Sequence, residues 1–336
     1  MTKWTIRDIA KMAGVSPGTV SKVINQTGSL SPKTIEKVKK VIHETGYQPS
    51  FSAKALATKK TNMIGLIYAG EIHVEFAHPF FNKVINAFKN TIGQLGYDLL
   101  IFSNQSFNNG KEDYVARCKH YQLDGCLIIT GEKVEGAIHD LDQSEIPTVG
   151  IDLTLTGKKS SYITTDNRKI SELVVNYFKK LGLHKITFIG GPEDSVISST
   201  RKQAFVEAMQ HYKLETHQDW IRFGDYFEES GYQQMKEILE GDSLPEAVFA
   251  VSDMMALGAM QAIKEKGLQI PEDIKVIGCD DIEACRYSEP ALATVKQDQQ
   301  EIGERAAEIL HDLINGVKVE PSYLVDPELV IRQSAR

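Results

Sequence analysis

The sequence predicts an N-terminal all-α helix-turn-helix head followed by a larger α/β body of doubly wound parallel sheets. Three observations predict it. Two clean helix starts, Ser16-Pro17 and Ser31-Pro32, fall within the first fifty residues. Basic charge is concentrated in the same region. From Met63 onward, apolar runs of strand length alternate with amphipathic segments of helical length.

The head opens with Thr5-Ile6-Arg7-Asp8-Ile9-Ala10, turns at Ala13-Gly14-Val15, and continues through Ser16 to Asn25. Ser16 offers an oxygen to the free amides of the next turn, and Pro17 sits where its missing N–H is harmless, so a helix begins there. Val20, Val23 and Ile24 then face inward, with Ile6 and Ile9 packing behind. The opposite face carries Pro17, Gly18, Ser21, Lys22 and Asn25, short or cationic groups that suit a major groove. A third helix runs from Ser31-Pro32 through Ile35, Val38 and Ile42 to a stop at Gly46. A three-helix cap with no ligand would pack in the same way, but the charge argues against it.

Residues 1–60 hold eleven basic and three acidic side chains, a net of +8, whereas the remainder holds 27 basic and 42 acidic, a net of −15. A basic head on an acidic body suits a protein that places one end on phosphates. At 336 residues and 42% hydrophobic, the chain is long enough for two or three domains with their own cores. No stretch approaches the roughly 20 apolar residues of a membrane span, and the N-terminus shows no apolar signal core, so a cytoplasmic protein is expected. Cys118, Cys126, Cys279 and Cys285 lack C-x-x-C spacing and read as buried or incidental thiols, with no metal site.

Residues 49–61 read as a hinge segment too short to be stable alone as a helix. Strands are predicted over 63–68, 97–103, 126–130, 147–151, 185–190, 220–223, 247–251 and 274–279. Helices fall between them at 80–95, 168–181, 200–211, 229–240 and 253–266. Fully apolar strands alternating with amphipathic helices imply parallel sheets covered on both faces, in two units, the second starting near Tyr162. The domain boundaries are therefore 1–48, 49–61 and 62–336, with one subdomain at about 62–161 and 292–323 and the other at about 162–291 and 324–336.

Two such units place their strand ends around a shared crevice, where ligands bind. The polar residues just after strands are the candidates: Asp152, Ser252 with Asp253, and Asp280 with Asp281. Arg201 would donate in a fixed fork, and Tyr226 with Phe80 or Phe81 would form a stacking wall. Duller readings stand beside these. Ser252 or Asp253 would cap a helix, Asp280 and Asp281 would be loop carboxylates, and of Phe80 and Phe81 one belongs to the core. Gly190-Gly191-Pro192 lacks the lysine and spacing of a phosphate loop. There is no nucleophile elbow or zinc-binding helix, and the nine histidines are scattered, so an enzyme is disfavoured.

Along nearly its whole length the chain resembles the lac-repressor (LacI/GalR) family of bacterial transcription regulators. The resemblance rests on Thr5–Ala10, Gly14-Val15-Ser16 and Thr19–Asn25 in the head, and on Gly46-Tyr47-Gln48-Pro49 with Ala53 and Leu56 in the hinge. In the core it rests on Ser252 to Gly258, Pro271-Glu272-Asp273, Gly278-Cys279-Asp280-Asp281 and Val295-Lys296-Gln297. It implies a two-lobed core like a type I periplasmic binding protein. It also implies DNA contacts from Thr5, Ser16, Pro17, Gly18, Thr19, Ser21, Lys22, Asn25, Ala53 and Leu56. Pro17, Gly18 and Lys22 would read base edges, and Leu56 would wedge into the minor groove of a near-palindromic operator. Effector contacts are implied at Phe81, Asp152, Arg201, Tyr226, Ser252, Asp280 and Gln297.

Two departures stand out: Ser252 replaces an Asn common in the family, and Pro17-Gly18 removes long side chains from the specificity positions. Base discrimination then falls on Lys22, Ser21 and contacts outside the recognition helix. With no leucine heptad at the C-terminus, a homodimer is expected. The expected function is allosteric repression by a small-molecule effector, with carboxylates and Arg favouring a sugar over a purine and with no resident cofactor. A catabolite-control regulator with a phosphorylated carrier protein as co-repressor is the nearer alternative, and a solute-binding protein the more distant one.

Overall fold

The computed structural model describes residues 4–25, 27–48, 60–69, 78–102, 112–130, 136–215 and 217–336. The chain forms two compact units, Met1–Thr61 and Asn62–Arg336. In the first, α1 (Ile6–Ala13), α2 (Pro17–Ile24) and α3 (Pro32–Thr45) start at the side-chain caps Thr5, Ser16 and Ser31. Gly14 and Gly46 end α1 and α3 with φ of 62° and 63°, where glycine carries no Cβ penalty. Ile9, Ala13, Val20, Val23 and Val38 close a small core, with Ile6 and Ile24 packed against it.

The second unit holds two six-stranded sheets. The first contains β1 (Met63–Ala69), β2 (Asp98–Ile101), β3 (Gly125–Thr130), β4 (Thr148–Ile151), β5 (Ser160–Thr165) and a late strand, β11 (Ser322–Val325). All of these are parallel, in the order β11-β5-β4-β3-β1-β2. The second contains β6 (Ile186–Gly190), β7 (Ile221–Phe223), β8 (Ala247–Ala250), β9 (Lys275–Asp280), β10 (Ala293–Lys296) and β12 (Glu328–Val330), in the order β12-β10-β9-β8-β6-β7. Only β12 runs antiparallel. Two apolar clusters sandwich the first sheet, and one large cluster built on Phe188, Phe205 and Phe249 surrounds the second.

The lobe boundaries shift from those the sequence suggested. Strand β5 pairs with β4, Gly150 lying against Tyr162, so the first crossing falls at Asp166 rather than at Tyr162. Strand β10 pairs with β9 in the second sheet, which moves residues 293–296 out of the first lobe, and the next crossing comes at Gln297. Strand β11 pairs with β5, so the last crossing lies between Val325 and Glu328. Strand β5, Ser-Ser-Tyr-Ile-Thr-Thr, escapes an apolar-run search because it is mostly hydroxylated.

Helices α4 (Pro79–Gln94), α5 (Tyr114–Tyr121), α6 (Gly136–Asp142), α7 (Asn167–Lys180) and α8 (Val196–His211) follow in chain order, and α9 (Glu228–Leu239) and α10 (Asp253–Glu265) pack so closely that a Cβ on Gly258 would stand 2.0 Å from the carbonyl oxygen of Glu228. No flexible side chain is available to give way there. Gly258→Ala therefore forces the helices apart, and thermal unfolding should show a loss of about 1–3 kcal/mol.

Candidate functional site

A cavity of about 440 Å³ opens at the strand ends between the two lobes of the second unit. Every effector residue named from the sequence borders it: Phe81, Asp152, Arg201, Tyr226, Ser252, Asp280 and Gln297. Three of these have backbones in the left-handed half of conformational space, with φ of 54° at Asp152, 73° at Tyr226 and 128° at Asp280. Such strain costs on the order of 1–3 kcal/mol per residue and gathers at binding sites.

Arg201 is the centre of the site. It lies on α8 (Val196–His211), which starts earlier than expected because Ser195 caps it, so Arg201 sits in the helix rather than opening it. Its side chain is buried. Nε donates to Asn167 Oδ1 at 2.8 Å and Nη1 to the Val251 carbonyl at 2.7 Å. Among the described residues Nη2 has no partner. Burial works against the charge, but surrounding groups that include Asp280 and Asp152 outweigh it and raise the pKa.

Asp152 accepts from the Thr164 hydroxyl at 2.7 Å, and burial raises its pKa although Thr164 and Arg201 pull the other way. Asp280 accepts from Gln297 Nε2 at 2.7 Å, and burial, then Asp253, push its pKa well up. Among the described residues, Gln297 Oε1 is buried with no hydrogen-bond partner. A carboxyl oxygen accepts from a ligand hydroxyl and a guanidinium donates to one, so the set suits a hydroxylated ligand.

Other expectations change. The Ser252 hydroxyl donates to the Tyr226 carbonyl at 2.8 Å and accepts from Met255 N at 3.1 Å, so it caps α10 and has no hydrogen left for a ligand. Asp253 is held by Thr294 and the Ile282 amide, and Asp281 pairs with Arg332 at 2.5 Å, so both are structural. Phe80 belongs to the core yet borders the cavity along with Phe81, the two rings meeting edge to face at 5.0 Å. Both therefore reach the cleft. Gly191 lies where a Cβ would strike the Tyr226 ring at 2.1 Å, which accounts for the double glycine without a phosphate.

Sequence reasoning missed His78, Thr164, Asn167 and Ser195. His78, passed over as one scattered histidine, lines the cavity between Phe81 of its own lobe and Phe227 of the other, with ring centroids 5.7 and 5.6 Å away. Among the described residues its ring nitrogens make no well-formed hydrogen bond, and the Tyr226 backbone is the one polar group that acts on the ring. Burial lowers its pKa to about 4, against that interaction with the Tyr226 backbone, which acts to raise it. The unfolded chain therefore takes up the proton first, and stability is lost as pH falls from 6.5 towards about 4. Asp253, raised to about 6 chiefly by burial, contributes with the opposite sign in the same window. Between about pH 7.5 and pH 5, His78→Phe should recover about 2 kcal/mol of the acid-induced loss relative to wild type in urea unfolding.

In the head, Pro17, Gly18 and Lys22 are exposed on α2. Ser16 caps that helix through Thr19, and Asn25 donates to Ser21 at 3.2 Å. The Thr5 hydroxyl accepts from Asp8 N at 3.3 Å and the Asp8 carboxylate accepts from Thr5 N at 2.9 Å, a capping box. Ala53 and Leu56 lie outside the described residues.

Together these features define a class: a helix-turn-helix head on a two-lobed, periplasmic-binding-protein-like core with a polar cleft. Residues 5–50 match the bacterial regulatory proteins, lacI family, and residues 175–335 match the periplasmic binding protein-like domain. The chain is 34% identical over 334 residues to the HTH-type transcriptional repressor PurR of Pasteurella multocida (strain Pm70), covering 99% of this chain and 98% of that protein. PurR of Haemophilus influenzae (strain PittEE) is 33% identical, with 99% and 98% covered. Among solved structures, the lac repressor dimer bound to operator and the anti-inducer ONPF aligns with a TM-score of 0.86 at 28% identity, covering 99% of each chain. The CelR–cellobiose complex aligns at 0.73 and 28%, with 99% and 100% covered. The protein belongs to the lacI family and is a DNA-binding transcriptional repressor, not an enzyme.

Proposed function

We propose that its operator affinity is set allosterically by a small molecule, a sugar, held in the interlobe cleft, and that it acts as a homodimer. The observation that carries this is the buried set of Arg201, Asp280 and Gln297 with the half-buried Asp152, with open hydrogen-bonding capacity, beside the rings of Phe81 and Tyr226. Vicinal hydroxyls match a guanidinium fork and carboxyl groups, and an aromatic wall suits the apolar face of a pyranose. A regulator of 28% identity, CelR, has been solved with cellobiose. For a ligand to act, it must bind the two arrangements of the lobes differently, typically by about 1–3 kcal/mol.

Calorimetry of the full chain against sugars, sugar phosphates and purines tests the ligand class. A sugar should bind wild type and lose at least tenfold in affinity with Arg201→Met. Tight binding of a purine with no sugar bound would reject the assignment.

The head is assigned operator reading through Pro17, Gly18, Ser21 and Lys22, with further contacts from Thr5, Ser16, Thr19 and Asn25 and from Ala53 and Leu56 in the hinge. Exposure of Pro17, Gly18 and Lys22 on one helix supports this reading. Leu56→Ala should weaken specific operator binding by tenfold or more while salt-sensitive binding to unrelated DNA stays unchanged. Fluorescence anisotropy on both DNAs gives the answer, and equal loss on the two would remove the wedge.

A further inference from the structure

The first sheet carries a second concave site at the end away from the cleft. Its strands are all parallel, so the starts of β5 and β11 stand at the end opposite Thr164 and Leu324, which border the cleft. Lys158 and Lys159 precede β5, and Lys318 lies in the connection between the helix Gln299–Ile314 and β11. All three line a pocket of about 350 Å³ whose apolar wall includes Leu313, Val317 and Val319.

Both lysine-bearing segments are fixed by bonds in which the lysine side chains take no part. The Asp142 carboxylate accepts from the amides of Thr156 and Gly157, each at 3.0 Å, and the Ser160 amide closes a turn onto the Gly157 carbonyl at 3.1 Å. A Cβ at Gly157 would stand 1.8 Å from the Asp142 carbonyl oxygen, so this turn lies directly against the end of α6. In the other segment the Val317 amide donates to the Asp312 carbonyl at 2.9 Å. The Ser161 hydroxyl donates to the Glu320 carbonyl at 2.8 Å and ties the two segments together.

Among the described residues, none of the three ammonium groups has a hydrogen-bond or ion-pair partner. Asp142 is occupied by the turn it holds, and Glu320, in the same connection as Lys318, is exposed and makes no pair with it. The negative end of the helix Gln299–Ile314 also lies at the pocket, but its dipole, worth roughly half a charge, offsets only a small part of three cations. In a body where 42 acidic side chains outnumber 27 basic ones, three like charges are therefore held in one concavity by a rigid frame. Such a concavity concentrates anions, and a compact dianion relieves the repulsion. Lysine serves phosphate as a point charge, and a pocket of this size with an apolar wall also has room for a carbon skeleton.

We propose that this pocket is a second ligand site, separate from the interlobe cleft, for a phosphorylated small molecule. Lys158, Lys159 and Lys318 hold the phosphate, and Leu313, Val317 and Val319 cover the carbon part. Because the frame is already fixed, binding orders little besides the three side chains.

Calorimetry on the full-length protein at physiological ionic strength tests it, with inorganic phosphate, pyrophosphate, glycerol 3-phosphate, ribose 5-phosphate and AMP as probes and sulfate as the reference anion. At least one phosphate compound should bind tenfold or more tightly than sulfate. The Lys158→Gln, Lys159→Gln, Lys318→Gln triple variant should lose at least tenfold of that affinity, while Lys22→Gln in the head leaves it unchanged. If the triple variant unfolds at a lower temperature than wild type, the Lys158→Gln, Lys318→Gln pair, at two exposed positions, replaces it, with at least a fivefold loss expected. Phosphate binding that the lysine variants retain, sulfate binding of equal strength, or no binding of any probe overturns the site. A triple variant that loses operator affinity in anisotropy while wild type binds no probe gives these lysines to the DNA backbone and overturns the small-molecule occupant.

Discussion

The buried guanidinium of Arg201 is the constraint around which the core is arranged. A charge taken out of water is tolerated only when hydrogen bonds and opposing charges replace its hydration. Here they come from four directions. Asn167 holds it from the start of the helix after β5, and the Val251 carbonyl from the end of β8, while Asp280 and Asp152 face it from the ends of β9 and β4. Because those groups belong to different strands and both lobes, the relative position of the lobes is tied to the electrostatics of one side chain.

The crossings between lobes reinforce this. The chain passes from one sheet to the other at Asp166, at Gln297 and between Val325 and Glu328, and the first two points line the cavity. Gln297 donates to Asp280 immediately after such a crossing. In the proposed allostery, a ligand bonded to the Gln297 oxygen, Arg201 and Asp280 would act beside these crossings, where rotation of one lobe against the other has to be absorbed. Strain at Asp152, Tyr226 and Asp280 belongs to the same region, so the cleft is held in its shape by the rest of the fold.

Much of this was legible in the sequence. The caps Ser16 and Ser31, the proline after each and the glycine stops Gly14 and Gly46 announce the head, because local chemistry alone decides a helix end. The strand-end carboxylates Asp152 and Asp280 were legible because the doubly wound fold puts strand ends at the crevice. What escaped depends on long-range pairing. Strand β5 is hydroxylated rather than apolar, so neither it nor Thr164 and Asn167 beside the crossing could be read from periodicity. His78 looked like any lone histidine, since its burial between Phe81 and Phe227 exists only once the two lobes meet. Ser252 shows the opposite case: its capping role, one of two readings of the sequence, is what its bonds to Met255 and Tyr226 display.

The proposed allostery makes occupancy of the cleft and grip on DNA one coupled equilibrium. The most direct measurement takes an operator selected from random DNA and determines its affinity at fixed salt with and without a saturating cleft ligand. The ligand's affinity is then measured with and without operator. The account predicts a change of at least about fivefold in operator affinity and, because coupling is reciprocal, the same factor in ligand affinity. A ligand that fills the cleft while both affinities stay unchanged would contradict it.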